Sequence, residues 1–68
     1  MPTPPRLLRF AEVMRRTGVS RPRIYALIAE GKFPKQVPLG AVSVAFVESE
    51  VDEWIKQRIA TRNTTETT

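Results

Sequence analysis

Gly18 does more than any other residue to limit what this chain can become. Apolar residues at helical spacing run up to it and resume just beyond it, so Thr17-Gly18-Val19-Ser20 reads as a turn between two helices rather than the middle of one. Glycine takes the positive φ that such a turn needs, and Val19 can pack behind it. Before the turn, Phe10, Val13, Met14 and Thr17 fall on one stripe, which predicts a helix over 10–17 with that stripe in the core. After it, Ser20 has the hydroxyl of an N-cap, and Ile24, Leu27 and Ile28 fall at i, i+3 and i+4. Gly31 offers a left-handed stop after Glu30, so the spacing predicts a second helix over 20–30.

The first turn of that second helix is oddly charged. Arg21 and Arg23 are read as lying with Ser20 on the side that the apolar stripe leaves free, where positive charge opposes the helix dipole. Cations there are badly placed for stability and well placed to meet an anion, and a local cost of this kind marks a binding surface. Pro22 loses nothing at the second helical position, because an amide there makes no intrahelical bond. Arg15 and Arg16 lie at the end of the first helix, where the dipole favours them, so they need no partner to explain them.

Composition sets the outer limits. Sixty-eight residues form one small domain with little room for a catalytic cleft. The absence of cysteine and histidine removes disulfides, thiolate chemistry and the usual zinc sites, so neither an enzyme nor a cofactor is expected. No apolar run approaches the roughly 20 residues that span a bilayer, and Met1 to Pro5 does not read as a signal peptide. A cytoplasmic protein with no membrane partner is the expectation. The net charge of +4 is unevenly spread. Residues 1–40 hold eight basic side chains against two acidic, a balance of +6, and the remainder stands at −2. A solvated basic surface would account for this, but the basic residues bracket a turn and a helix start, which favours nucleic acid.

Residues 1–5, with three prolines, predict an extended flexible arm, and 6–9 either a short strand or a lead-in. Lys32 to Gln36 form a connector in which Phe33 is expected against both helices. Val37, Leu39, Val42, Val44 and Phe46, interrupted at Gly40-Ala41, then suggest two short strands around a type II′ turn, with Pro38 confining the first to an edge. Ser49 is expected to cap a third helix over 50–60, with Asp52 in a capping-box-like role. Glu50, Asp52 and Glu53 in its first turn suit the dipole. Helical spacing splays them and no histidine supports them, which argues against a metal or catalytic cluster. Val51, Trp54, Ile55 and Ile59 form its buried stripe, with Trp54 the expected largest core anchor. Residues 61–68 contain no apolar side chain and predict a disordered tail, leaving 6–60 as the domain. The expected fold is mainly α with a small β-hairpin: helix, turn, recognition helix, two-stranded wing and C-terminal helix, a winged helix-turn-helix. The wing either touches DNA or only caps the core. A ribbon-helix-helix dimer is disfavoured, because its strand would have to come first.

Arg6-Leu7-Leu8-Arg9, Gly18-Val19-Ser20-Arg21, Ile24-Tyr25, Glu30-Gly31-Lys32-Phe33-Pro34-Lys35, Leu39-Gly40 and Glu48-Ser49-Glu50-Val51-Asp52-Glu53-Trp54 together resemble the AlpA family, in order and spacing over residues 6 to 60. These are small prophage regulators with a MerR-like or excisionase-like winged-helix fold. The resemblance implies double-stranded DNA binding, activation or repression of transcription, and, in relatives, direction of a recombinase during excision. Members commonly carry an arginine near the wing turn and a tryptophan on its second strand, where this chain has Val42 and Phe46.

Groove geometry then assigns the candidates. The first turn of the second helix enters the major groove, with Arg21 and Arg23 reaching base edges or phosphates. Tyr25 either donates its hydroxyl to a phosphate or packs its ring on the first helix, and Ser20 serves as cap and phosphate contact. Lys32 and Lys35 flank the helix end, Arg6 and Arg9 approach from the other side, and Val42 and Ser43 mark the wing. So small a reader implies a monomer that occupies repeated or inverted DNA sites cooperatively, with an integrase or RNA polymerase as further partners. The alternative is a protein-binding adaptor or inhibitor that turns its basic face on an integrase or regulator instead of DNA.

Overall fold

The computed structural model describes residues 5–66, and in the last four of these the backbone only. Residues 1–4 of the expected arm and 67–68 of the expected tail lie outside this range. Strand β1 (Leu7–Arg9) leads directly into helix α1 (Phe10–Thr17), which is followed by α2 (Arg21–Ala29), β2 (Val37–Pro38), β3 (Val44–Val47) and α3 (Glu48–Glu66). Three helices and a small antiparallel sheet in the order β1-β3-β2 give an arrangement compatible with a winged-helix fold.

Both helices that flank the turn form where apolar spacing places them. α1 stops at Gly18, which has φ 72° and donates its N–H to Met14 O at 2.8 Å. α2 stops at Glu30, and Gly31 follows in the left-handed region with φ 73°. The hairpin differs from expectation in two ways. Of the two expectations for residues 6–9 the strand forms, at Leu7–Arg9, and it joins the hairpin as a third member: Leu8 pairs with Phe46 and turns inward, while Leu7 and Arg9 stay exposed. Second, the connection is a longer loop, closed by Leu39 N–H to Ser43 O at 2.7 Å, and Gly40 does not take the positive φ of a type II′ turn. Pro38 lies, as expected, on the edge strand, opposite Val44.

The third helix is longer than its sequence pattern suggests at both ends. It begins at Glu48, not after a Ser49 cap, because pairing of β1 with β3 brings the Arg6 carbonyl within 2.8 Å of Glu48 N–H. That bond satisfies an amide that otherwise needs a capping side chain. Ser49 therefore lies inside the first turn, and Asp52 reaches Arg16 instead of acting in a capping box. At the other end, the helix continues to Glu66 through residues expected to be disordered. Once the packed first half is formed, each added residue contributes one bond for one fixed conformation. Thr61 Oγ1 donates to Gln57 O at 2.9 Å within this extension.

The core is one cluster: Leu8, Phe10, Val13, Ile24, Leu27, Phe33, Phe46 and Val51. Phe46, not Trp54, is its largest fully buried side chain. Trp54 stays at the margin because its indole N–H needs an acceptor, which it finds in Lys32 O at 2.7 Å. Phe33 is buried with its ring edge-on to Phe46 and Trp54, at 5.7 and 4.9 Å between centroids, so it faces β3 and α3. The apolar stripe of α3 ends at Ile55, since Ile59 is 47 % exposed.

Candidate nucleic-acid interface

The turn before α2 is fastened from both sides. Thr17 Oγ1 donates to Val13 O at 2.8 Å and accepts from Val19 N–H at 3.2 Å, so one threonine ties α1 to the first residue after Gly18. Ser20 then enters α2 with the extended backbone of an N-cap, φ −71° and ψ 158°, but its hydroxyl makes no cap hydrogen bond. A capping hydroxyl bonds the amide of the second or third helical residue; Pro22 removes the first of these options, and the Ser20 hydroxyl does not take the other, Arg23 N–H.

Arg21 and Arg23 are both exposed, but they do not share a side. Two residues on a helix are separated by about 200°, which places them on opposite flanks of the Ile24/Leu27 face. Arg21 turns toward the sheet, where it lines a cleft with Arg9 and Val42, and its guanidinium lies 4.2 Å from the centroid of the Phe10 ring. Arg23 turns toward α3 and lines a depression with Arg16, Ile55 and Arg58. Tyr25 packs its ring 5.2 Å from that of Phe10 and remains 45 % exposed.

The other candidates separate further. Arg6 and Arg9 are exposed on the β1 side, Arg9 sharing the Arg21 cleft. Lys32 pairs with Glu30 at 3.5 Å, and with Lys35 it lines a groove that also holds Glu50 and Glu53, so that corner is of mixed charge. At the hairpin tip Val42 is 95 % exposed, while the Ser43 carbonyl is used to close the loop. Arg58 was not singled out by the sequence reading. It sits 5.8 Å over the Trp54 ring and joins Arg23 in one depression, and its i+4 spacing from Trp54 was the available signal.

Ion pairing divides the cations sharply. Arg15 and Arg16 both bond to Glu12, Arg16 Nε at 3.0 Å from Oε2, and Arg16 also reaches Glu48 at 3.0 Å and Asp52 at 3.4 Å. The hydrogen bond from Arg16, reinforced by Arg15, holds the Glu12 carboxyl below its ordinary value. The bonds to Glu12 and then Glu48 raise Arg16 in turn, keeping it charged. Among the described residues, Arg6, Arg9, Arg21, Arg23, Lys35 and Arg58 have no carboxylate within 4.0 Å. The described residues contain no group of acidic side chains able to hold a metal ion and no helix long and apolar enough to cross a membrane.

Comparison with known proteins places this chain in a family. The family model described as prophage CP4-57 regulatory protein (AlpA) matches residues 6–59. The chain is 52 % identical over 60 residues to an uncharacterized protein, ORF88, of Enterobacteria phage P4, an alignment covering 88 % of this chain and 68 % of the phage protein. It is 39 % identical over 59 residues to the DNA-binding transcriptional activator AlpA of Escherichia coli K12, covering 78 % of this chain and 84 % of that protein.

Proposed function

The chain belongs to the AlpA family of prophage regulatory proteins, and from that premise we propose that it is a sequence-specific double-stranded DNA-binding regulator of transcription. The observation that carries the reading is the first turn of α2. It is exposed, it contains no acidic residue, and both of its arginines lack a carboxylate partner among the described residues. Positive charge left unpaired against a helix dipole is unfavourable in the free protein and becomes favourable beside a polyanion.

In this reading the fold acts as a MerR-like winged helix-turn-helix, with α2 in the major groove. Arg21 reads a base edge, for which guanine O6 and N7 are the matching acceptors. Arg23, on the other flank, meets the phosphate backbone together with Arg58. Ser20, whose hydroxyl is not used as a cap, contacts a phosphate near the helix start, as does the Tyr25 hydroxyl. Arg6, Arg9, Lys35 and, more weakly, the paired Lys32 add backbone contacts. The hairpin tip, with uncharged Val42 and the Ser43 backbone committed to the loop, supports the Arg9–Arg21 cleft and holds no phosphate itself.

One such domain reads few base pairs, so the protein works as a monomer that fills repeated or inverted sites cooperatively. Sites beside a phage attachment sequence would make it an excision factor with an integrase as partner, and sites at a promoter a regulator acting on RNA polymerase. Selection from random duplex oligonucleotides decides both questions. The expected result is enrichment of a short motif, with binding that weakens steeply as salt rises. Failure to enrich any motif would overturn the sequence-specific reading, and a tight dimer at micromolar concentration in sedimentation would overturn the monomer.

A further inference from the structure

We propose that Phe10 is a positioning residue for Arg21, presenting its guanidinium to DNA from a fixed aromatic platform. The inference rests on the reading of α2 as the DNA-contacting helix and adds what sets the geometry of that contact. Phe10 is 5 % exposed, and its ring stands edge-on to Phe46 at 5.2 Å and 84° and tilted against Tyr25 at 5.2 Å. Phe46 is itself fully buried at the centre of the core. The platform therefore cannot turn unless the core turns with it.

This contact leaves the arginine able to bind an anion. The guanidinium carbon lies 4.2 Å over the ring centroid, a cation–π contact that draws on the charge and does not use up the five N–H donors. No carboxylate within 4.0 Å competes for those donors among the described residues. A long flexible side chain loses rotamer freedom when it docks, and a side chain already held in place loses less. Arg23, in the same turn, makes no cation–π contact among the described residues and lines a depression with Arg16, Trp54 and Arg58 instead. Of the two arginines, Arg21 is the pre-organised one, and discrimination between base pairs belongs to it, while Arg23 acts as a charge that is indifferent to sequence.

The test is a double-mutant cycle of Phe10→Leu and Arg21→Ala, read by fluorescence anisotropy on a duplex bearing the selected motif and on a scrambled duplex of equal length and composition. Phe10→Leu is expected to weaken binding to the selected duplex by about threefold to tenfold, the ordering cost of one long side chain that is no longer held in place. It is expected to leave scrambled binding unchanged and to have no effect once Arg21 is alanine. Equal losses on both duplexes, or the same loss in the Arg21→Ala background, would show that Phe10 acts only through the fold and overturn the proposal. Should Phe10→Leu not fold, the Arg21 Nε–H resonance of the wild-type protein answers directly: a ring-current shift supports the platform and its absence overturns it. If Arg21→Ala binds the selected duplex as well as wild type does, the DNA role of Arg21 falls and the proposal with it. That outcome is distinct from additive losses, which leave the DNA role standing.

Discussion

Arg16 and Arg21 stand on either side of the Gly18 turn, both arginines at a helix terminus, and the protein uses them in opposite ways. Arg16 closes α1, where the dipole welcomes a cation, and three carboxylates surround it: Glu12 one turn before, and Glu48 and Asp52 from α3. Arg21 opens α2, where the dipole opposes it, no acidic residue shares its turn, and its neighbour is the face of an aromatic ring. The first arginine joins two helices, and its hydrogen-bonding capacity is taken up inside the protein. The second retains its donors for a partner. Residue type alone therefore says little about which arginine binds DNA, and the surrounding carboxylates decide it.

Both regions rest on one floor. Phe46 lies beneath both regions through Phe10 and the cluster that includes Val51, so Phe46→Ala should destabilise the domain by about 3–5 kcal/mol, and both regions should fail together. Thermal unfolding and duplex binding, measured side by side, check this. A Phe46→Ala protein that lost its cooperative melt yet still bound the selected motif would show that the first turn of α2 works without the core.

Next in size, the two arginines should separate when each is removed. Arg21→Ala should cost about 1–3 kcal/mol of binding to the selected motif and relax discrimination at one base pair, with little change in melting temperature. Arg16→Ala should do the reverse, lowering the melting temperature while preserving the ratio of selected to scrambled affinity. Equal effects of the two variants on both measurements would remove the distinction.

The turn between the regions offers a smaller, purely conformational test. A Cβ added at Gly18 meets no atom within 4 Å, yet φ there is +72°, so Gly18→Ala should destabilise by about 1 kcal/mol through backbone strain alone. Gly40 is equally open but lacks the positive φ, so Gly40→Ala should be neutral or slightly stabilising. Chemical denaturation of the pair distinguishes the two glycines, and equal losses would mean that Gly40 also needs its freedom.

Local features of the fold were legible in the sequence, and what was missed depended on long-range pairing. The bounds of α1, the left-handed stops at Gly18 and Gly31, and the edge position of Pro38 each follow from a residue and its immediate neighbours. Residues 6–9 were legible only as a strand or a lead-in, because Leu7 to Arg9 is fixed as a third strand by β3 lying beside it. The same pairing moved the start of α3 to Glu48 by lending it the Arg6 carbonyl. At the candidate site, periodicity placed the exposed first turn of α2 correctly but put both arginines on one side, although two helical positions place them on opposite flanks. Pro22 removed one of the two amides that Ser20 could have capped, a loss visible in the sequence itself, whereas the unused Arg23 amide was not. The three carboxylates of Arg16 were only partly legible: Glu12 lies one turn away, but Glu48 and Asp52 arrive with α3.

The smallest expected effect probes the spent arginine through its nearest partner. The Glu12 carboxyl is held below its ordinary value of 4.5 by the bond from Arg16 and then by Arg15. A carboxylate lowered by folding contributes stability that is fully present above its unfolded value and is lost as pH falls through its folded value. Wild type should therefore melt at a higher temperature than Glu12→Gln at neutral pH, and the gap should close as pH falls below about 4.5. Arg16, raised in turn, stays charged throughout and adds no slope in this window. The bonded groups lie near the surface, so added salt should narrow the gap at neutral pH as well. Melting curves of the two proteins across this range, at low and high salt, measure it. A gap that persisted unchanged into acid would show that Glu12 acts through packing and not charge, and Arg16 would then be less fully neutralised than its three partners imply.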